Sequence, residues 1–444
     1  MITTTKKLHT IDLQIEKLIK LEEKRQRDVL EMIPSENYVS PAVREAMGSV
    51  LTNKYSEGYP HKRYYQGNRF IDQIEDIAIA RAKKLFGVPH VNVQPYSGSP
   101  ANSAVYFALL KAGDTIMGLK LSAGGHLTHG HPTITFSGKY FRSIQYDVEE
   151  DGTINLAKMK DLAVMSNPRL IVVGTTAYPR IFDWKAWRET ADAVGAFLLA
   201  DISHIAGLVI GGVHPSPVPY VDVVMTTTHK TLRGPRGAML MVTQRGLKKD
   251  PDMAGKIDKA VFPGLQGGPH DNVTAAIAIA LKEADTLTFK AYAKQVVKNA
   301  KVLSETLTGE GLTLTTGGTD NHLMVVDFRP QGVVGNIVAE ALEVAGIVIN
   351  YNAVPHDPNP PFYPSGIRLG TPAITTRGMK EKEMKHIGTW IAEVIREVAH
   401  YRLPQAKEDR SKFVGSVKKE LWRSKNLLGI ASQVKKLCKQ FPVP

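Results

Sequence analysis

The lysine in the stretch TTTHKTLRGPRG, residues 226–237, could do chemistry, since the stretch follows directly on the apolar run VDVVM. A single lysine in a turn is most often a solvated charge. Lys230 would form an imine with a carbonyl group only if its amine lay close to that group and its pKa were lowered. The threonines before it, Thr227 among them, offer hydroxyl donors to a phosphate or phenolate oxygen. The glycines and the proline after it allow a tight turn close to a ligand.

A second stretch, YSGSPAN at residues 96–102, has features of a phosphate site. Gly98 and Ser99 stand at the predicted start of a helix, where free N–H groups and the helix dipole attract anions. Pro100 falls near the first helical turn, where its missing N–H costs nothing. The alternative is an ordinary helix start capped by a serine, and both interpretations stay open for this motif alone.

Asp201 and His204 occur in ADISHIAG, residues 200–207, where an apolar strand is predicted to end. A carboxylate in such a place is costly unless it is paired. A protonated ring nitrogen would satisfy Asp201, and the imidazole of His204 can lie flat on an aromatic ring. The alternative is an aspartate that caps a helix, followed by an incidental histidine.

Arg368 lies in SGIRLGTPA, residues 365–373, within a short predicted strand that glycines flank. Such a position suits bidentate binding of a carboxylate, although a surface arginine is the alternative. Together the four stretches would supply a phosphate site, an acid for a pyridinium nitrogen, an imine-forming lysine and a carboxylate-binding arginine. A pyridoxal-phosphate enzyme that acts on an amino acid requires this set.

The histidines of GGHLTHGH, His126, His129 and His131, have a spacing that also suits a metal ion. No carboxylate or cysteine completes the set, and the glycines favour a backbone loop. We therefore predict no metal site.

The elements that must position these residues alternate along the chain. Short runs rich in valine, isoleucine and leucine, such as LIVVG, AFLLAD and VDVVMTTT, alternate with helical patterns such as DWKAWRETADAVG. This alternation predicts an α/β fold with a mostly parallel sheet covered on both faces. Ligands of such sheets bind beyond the carboxyl ends of the strands.

The pattern divides the chain into three parts. An amphipathic helical arm is predicted over residues 1–30, with Ile11, Ile15, Leu18 and Leu21 at helical spacing. A large domain over 31–285 would bind the cofactor, and a smaller α+β domain would follow over 286–444. The proline-rich stretch 352–366 is predicted to be an irregular, functional loop.

Composition limits which binding partners and which cellular compartment can be predicted. The 444 residues carry a formal charge of +13, which favours anionic partners, but no nucleic-acid-binding signature is present and nucleic acid is not predicted as a partner. Cys438 is the only cysteine, which excludes an internal disulfide and fits a reducing compartment, so we predict a cytoplasmic protein. No apolar run is long enough to predict a membrane helix or a signal-peptide core.

Seven stretches give the chain its resemblance to a known family. They are SENYVS (35–40), NKYSEGYPHKRYYQG (53–67), GGHLTHG (124–130), DISHIAGL (201–208), TTTHKTLRGPRG (226–237), FPGLQGGP (262–269) and SGIRLGTPA (365–373). In this order they resemble the serine hydroxymethyltransferases over essentially the whole chain. The resemblance implies the aspartate-aminotransferase-like fold, fold type I, and a homodimer or tetramer whose active sites are shared between subunits. It also implies pyridoxal 5'-phosphate as cofactor and tetrahydrofolate as co-substrate, which takes a one-carbon unit from serine to give glycine and 5,10-methylenetetrahydrofolate.

The resemblance implies a role for each matching residue. The catalytic residues would be Lys230, Asp201, Glu57, His229 and Tyr65, with Lys230 holding the cofactor and Glu57 transferring protons. The cofactor phosphate would be bound by Ser97, Gly98 and Ser99, and by Tyr55, Gly267 and Gly268 of the neighbouring subunit. The rest of the cofactor would contact His126, Thr176, Asp201, His204, Thr227 and Lys230. The amino acid would be bound by Ser35, Tyr65, His204 and Arg368. The folate would be bound by Glu57, Tyr64, Leu121, Gly125, His126, Leu127, Pro361 and Phe362.

Three residues depart from the family's usual pattern. Pro100 stands where glutamine is common, Thr176 where serine is common, and Pro360 where a serine is common on the folate side. Thr176 keeps a hydroxyl group, whereas Pro360 loses a polar group and alters the expected folate contacts. Two other classes remain open at this point: a threonine aldolase of the same fold, and an RNA-binding protein with a basic surface.

Overall fold

A computed structural model describes residues 7–444. Its central feature is a seven-stranded sheet in which six strands run parallel and one antiparallel. From one edge to the other the strands are His90–Asn92, Ala238–Val242, Val223–Thr227, Phe197–Asp201, Leu170–Gly174, Thr115–Leu119 and Arg142–Tyr146. The strands Leu170–Gly174, Phe197–Asp201 and Val223–Thr227 are buried along their whole length, because helices cover both faces of the sheet.

The helices around this sheet follow the predicted alternation. The sequence predicts helices from the patterns FIDQIEDIAIARAKKLF (70–86), SGSPANSAVYFALLKAG (97–113) and DWKAWRETADAVG (183–195), and all three are confirmed, as Arg69–Phe86, Gly98–Leu109 and Trp184–Ala193. The helices of this half are Pro41–Met47, Arg69–Phe86, Gly98–Leu109, Phe136–Tyr140, Leu156–Ser166, Trp184–Ala193, Ala206–Ile210, Gln244–Lys249, Met253–Lys259 and Asp271–Ala284. A two-stranded hairpin, Gly58–Tyr59 with Lys62–Arg63, follows the first of them.

The C-terminal part contains a smaller antiparallel sheet. Its strands, in spatial order, are Thr313–Leu314, Leu323–Asp327, Gly366–Gly370 and Asn350–Asn352. The helices packed with it are Leu287–Gly309, Gly335–Val344, Pro372–Thr376, Glu381–Val398, Lys407–Leu421 and Lys425–Gln440. The stretch between Asn352 and Gly366 has no helix or strand, as its prolines predict.

One long helix, Leu287–Gly309, belongs to both hydrophobic cores. Phe289 and Val296 near its start pack with the large sheet, whereas Leu303 and Leu307 near its end pack with the smaller sheet. Each half therefore buries its own apolar residues around a common helix. The division at residue 286 falls next to the start of this helix and stays a prediction.

The N-terminal arm forms two helices, Leu8–Ile11 and Leu13–Asp28, and its first six residues lie outside the described part. Asp12 separates the helices and caps the second, since its side chain accepts a hydrogen bond from the N–H group of Ile15 at 2.9 Å. After the helices, Leu30–Glu31 pairs in parallel with Ile347–Val348. The apolar residues of the arm that were predicted to share a face are all exposed on this chain.

Among residues 7–444, none of the helices combines the length and the apolar character that a membrane crossing requires. The sole cysteine, Cys438, is buried and unpaired.

Candidate active site

The predicted phosphate-binding glycine, the aspartate and the lysine line one cavity at the carboxyl ends of neighbouring strands, whereas Arg368 is not among its lining residues. Asp201 is the last residue of its strand, and Thr227 ends the adjacent one. Because the strands are parallel, their ends lie at the same edge of the sheet. The cavity walls include Gly98, His126, Asp201, His204, Thr227 and Lys230.

Asp201 is held by three hydrogen bonds. Its Oδ2 atom accepts from His129 Nε2 at 2.9 Å and from Asn102 Nδ2 at 3.1 Å, and its Oδ1 atom accepts from the N–H group of Ser203 at 3.1 Å. Burial alone would raise the pKa of Asp201, but the hydrogen bond and charge of His129 outweigh it and hold the pKa below its usual range. Asp201 does not cap a helix, since the next helix begins at Ala206 with Ile205 as its cap. The carboxylate is thus ionised and fixed in orientation.

Two members of this network were not assigned a role from the sequence. His129 was considered only as a metal ligand, and Asn102 was not considered. Asn102 also donates to Thr128 Oγ1 at 2.9 Å, and His126 Nδ1 lies 2.7 Å from the same hydroxyl oxygen. The network therefore connects the wall of the cavity with the GGHLTHG loop. The spacing of histidines in that loop was the only sequence signal for it.

Lys230 reaches the cavity from a well-fixed turn. Its carbonyl oxygen accepts hydrogen bonds from Asn37 Nδ2 at 2.9 Å and from the N–H group of Arg233 at 3.1 Å. Burial lowers the pKa of Lys230 to about 8, although the charge of Asp201 opposes the shift. Its amine makes no hydrogen bond or ion pair with residues 7–444. With a pKa of about 8, a fraction of the Lys230 amine is neutral near neutral pH.

The start of the helix Gly98–Leu109 has free polar groups beside Lys230. Ser97 is its N-cap residue, yet no side-chain capping bond forms, so the alternative of an ordinary serine-capped helix is not supported. A Cβ atom on Gly98 would lie 2.8 Å from Thr227 Cγ2, which leaves no room for a side chain there. Thr227 Oγ1 is buried without a hydrogen-bond partner. These unpaired groups fit a phosphate that approaches the helix N-terminus.

Arg368 is buried and lacks a carboxylate partner among the described residues. Its Nε atom donates to Asn350 Oδ1 at 3.1 Å, and its Nη1 atom donates to the carbonyl oxygen of Thr176. Burial lowers the pKa of Arg368 to about 10. The alternative of a surface arginine is wrong, since the side chain is 9% exposed. A buried guanidinium without an anion fits a substrate carboxylate.

Three histidines near the lysine turn, His126, His204 and His229, are neutral at physiological pH. Burial lowers the pKa of His126 to about 4 and that of His229 to about 3, and the charge of Lys230 adds to both shifts. Burial also places the pKa of His204 well below its usual value, and His204 Nδ1 lies 3.2 Å from His322 Nε2. His322, which was not singled out from the sequence, thereby fixes the ring of His204.

A second group of predicted residues lies away from this cavity. Tyr55 donates to Glu57 Oε1 at 3.1 Å, and the rings of Tyr55 and Tyr65 meet edge to face with centroids 5.0 Å apart. A Cβ atom on Gly267 would lie 3.1 Å from Glu57 Oε1, and Gly268 adjoins Tyr55 in the same way. The rings of Tyr55, Tyr64 and Tyr65 are exposed. None of these residues lines the Lys230 cavity on this chain.

The remaining predicted residues occupy three further places. Ser35 and His229 line a neighbouring cavity of about 410 Å³ together with Arg236. Leu121, Gly125 and Leu127 belong to the loop that carries His126, and Thr176 lines the Lys230 cavity. Pro361 and Phe362 are exposed in the proline-rich loop.

An α/β sheet whose strand ends present an unpaired lysine beside a buried carboxylate is the arrangement of pyridoxal phosphate-dependent enzymes. The family model described as serine hydroxymethyltransferase matches residues 8–391. The chain belongs to the serine hydroxymethyltransferase family, which consists of pyridoxal phosphate-dependent one-carbon transferases of fold type I.

Individual relatives are similar over almost the whole chain. A serine hydroxymethyltransferase of Sorangium cellulosum is 54% identical over 438 residues, which cover 98% of this chain and 96% of that protein. One of Acidothermus cellulolyticus is 55% identical over 438 residues, with 98% and 97% covered. One of Desulfotalea psychrophila is 53% identical over 433 residues, with 98% and 95% covered.

Proposed function

We propose that this chain converts L-serine and tetrahydrofolate to glycine and 5,10-methylenetetrahydrofolate, with pyridoxal phosphate bound in the Lys230 cavity. The observation that carries the proposal is the position of Lys230 and Asp201 in the walls of one cavity. The bound cofactor would supply an electron-withdrawing ring that stabilises negative charge on the amino acid. The family match favours this reaction over that of a threonine aldolase.

Different residues would hold different parts of the cofactor. Lys230 supplies the amine that holds it, and its lowered pKa leaves the amine partly neutral. Asp201 would keep the pyridine nitrogen of the bound cofactor protonated, because a fixed carboxylate favours the charged form of its partner. The phosphate would be bound by Ser97, Gly98, Ser99 and Thr227. The rest of the cofactor would be held by His126, Thr176 and His204, with His229 from the neighbouring cavity.

Arg368 binds the carboxylate of the amino acid, with Ser35, Tyr65 and His204 as further contacts. Replacing Arg368 with lysine should lower kcat/KM for serine by about 10²-fold, because the forked donor pair is lost in a buried place. Most of the effect should lie in KM for serine, which steady-state kinetics measures.

Arg188 is the matched control for this change. It is also buried, but it has carboxylate partners of its own, Asp222 at 3.1 Å and Asp192 at 2.8 Å. The change Arg188→Lys should lower the melting temperature and leave KM for serine unchanged. An unchanged KM for serine in Arg368→Lys would show that Arg368 does not bind the carboxylate of the amino acid.

Glu57 is placed to transfer protons at the hydroxymethyl group or at a folate nitrogen. Its loop is rigid, since Arg63 donates to the carbonyl oxygens of Ser56 and Gly58 on either side of it at 2.9 and 2.8 Å. Arg63 in turn is buried between Asp72 and Glu75. The folate would lie against Glu57, Tyr64, Leu121, Gly125, His126, Leu127, Pro361 and Phe362.

We infer a homodimer with shared sites, because one chain does not bring Glu57 to Lys230. Tyr55, Glu57, Tyr65, Gly267 and Gly268 would enter the cavity of the other subunit. The exposed apolar face of the N-terminal arm supports a contact between subunits. A cytoplasmic location stays a prediction from cysteine usage.

Coexpression of two inactive chains, Lys230→Ala and Glu57→Gln, tests this sharing. If Lys230 and Glu57 of one site come from different chains, each mixed dimer keeps one intact site. Random pairing of equal amounts then restores about a quarter of the unaltered activity, since half of the dimers are mixed and each has one of two sites intact. The rate of serine cleavage by the purified mixture measures the recovered activity.

The matched pair for this experiment is Lys230→Ala with Asp201→Ala, two changes within one cavity. Their mixture should stay inactive. Absence of recovery in the first mixture, with mixed dimers verified by differential tags, would show that each chain completes its own site.

A further inference from the structure

A further cavity, of about 350 Å³, adjoins the turn that carries Lys230, because Arg233 of that turn lines it. Its walls include Arg233, Thr288, Tyr292, Gln295, Thr376 and Lys380. It shares no lining residue with the Lys230 cavity. Two of its lining residues are cationic and none is an aspartate or glutamate. No lining residue therefore neutralises the positive charge of this cavity.

Arg233 is held at this cavity with its charge unpaired. Its backbone has a φ of 61°, a left-handed conformation that is uncommon outside glycine. Its guanidinium lies over the ring of Tyr292 at 5.2 Å from the centroid. The Nε atom is buried and has no hydrogen-bond partner among the described residues. A buried donor of a charged group is costly to leave unpaired, which indicates a missing acceptor.

The acidic residue that follows Lys380 in the sequence is already engaged elsewhere. Glu381 forms an ion pair with Lys298 and accepts from Gln295 Nε2 at 3.0 Å. It therefore does not neutralise Arg233. The hydroxyl of Thr288 and the ammonium of exposed Lys380 add donors at the same cavity.

We propose that this cavity binds a small oxyanion, a phosphate or a carboxylate, between Arg233 and Lys380. A guanidinium offers two parallel donors to either kind of anion, and the lysine adds a point charge. The site adjoins the catalytic turn, since the N–H group of Arg233 donates to the carbonyl oxygen of Lys230. Thr376 lines the proposed site and donates to Asn37 Oδ1 at 2.7 Å. Asn37 in turn donates to the carbonyl oxygen of Lys230.

Calorimetric titration of the holoenzyme tests the proposal. Every holoenzyme titrated carries the change Arg368→Lys, which disrupts the proposed site for the substrate carboxylate, and inorganic phosphate or acetate is added against chloride of equal ionic strength. One equivalent of phosphate or acetate should bind to each chain. Arg233→Gln should weaken that binding roughly tenfold or more, because a charge-assisted hydrogen bond is lost.

Lys380→Gln and Lys385→Gln form a matched pair that does not depend on the packing of Arg233. Both lysines are exposed, and Lys385 lies on the helix Glu381–Val398 that begins beside Lys380. Lys380→Gln should weaken binding and Lys385→Gln should not. The proposal is overturned if neither anion binds, if both lysine variants weaken binding equally, or if Arg233→Gln and Lys380→Gln bind as tightly as the holoenzyme with Arg368→Lys alone.

Discussion

The change Lys230→Ala is expected to remove serine hydroxymethyltransferase activity and the visible absorption of bound cofactor together. No other amine of the described residues lines the cavity with Asp201, so nothing replaces the covalent hold on the cofactor. The loss of turnover should exceed the roughly 10²–10⁴-fold that a proton-transferring group alone contributes, because the nucleophile is removed as well. Absorption spectra of the purified protein and single-turnover assays with serine measure the two effects.

Lys249 provides the control, because it too has a pKa that burial lowers. It donates to the carbonyl oxygen of Gly195 at 3.1 Å and lies over the ring of Phe197, at the amino end of the strand that ends at Asp201. Lys249→Ala should keep the spectrum. A visible band of normal intensity in Lys230→Ala would show that another residue forms the imine with the cofactor.

The change Asp201→Asn should lower turnover by about 10²–10⁴-fold, since breaking a buried ion pair costs about 3–5 kcal/mol. Asparagine has nearly the same shape, so the loss reports the charge that faces the pyridine nitrogen. Affinity for pyridoxal phosphate should fall as well. Measured kcat for serine cleavage and cofactor binding to the apoprotein check both effects.

Asp222 is the matched buried aspartate at the opposite end of the sheet. It precedes the strand Val223–Thr227 and accepts from Arg188 at 3.1 Å and from the N–H group of Leu198 at 2.8 Å. Asp222→Asn should cost stability without changing cofactor affinity. Near-normal kcat in Asp201→Asn would refute the pairing of Asp201 with the cofactor ring.

The site residues that can be predicted from the sequence are those that one short stretch of sequence is enough to indicate. Asp201, Thr227 and Lys230 stand just after apolar runs, and the parallel sheet brings the ends of such runs together. Arg368 is recognisable from its strand and its flanking glycines. The helices are predicted well because their apolar spacing is regular, as in Arg69–Phe86.

The parts that were missed depend on contacts between distant segments. Asn102 and His129 reach Asp201 across 99 and 72 positions of the chain, and neither has a local signal for that contact. The strands Arg142–Tyr146 and Ala238–Val242 were not predicted either. The second of these is a short, uniformly buried apolar run, which periodicity does not distinguish from a helix segment. The pairing of Leu30 with Ile347 likewise has no local signature.

The helix Leu287–Gly309 has a consequence for motion during turnover. Leu232, two positions after Lys230, packs in the first core, and Ile367 and Leu369 beside Arg368 pack in the second. Because one unbroken helix packs into both cores, we expect it to restrain the separation of the Lys230 amine and the Arg368 guanidinium. Relative rotation of the two halves would expose apolar residues of this helix, so we expect shape changes on binding to occur in surface segments such as 352–366.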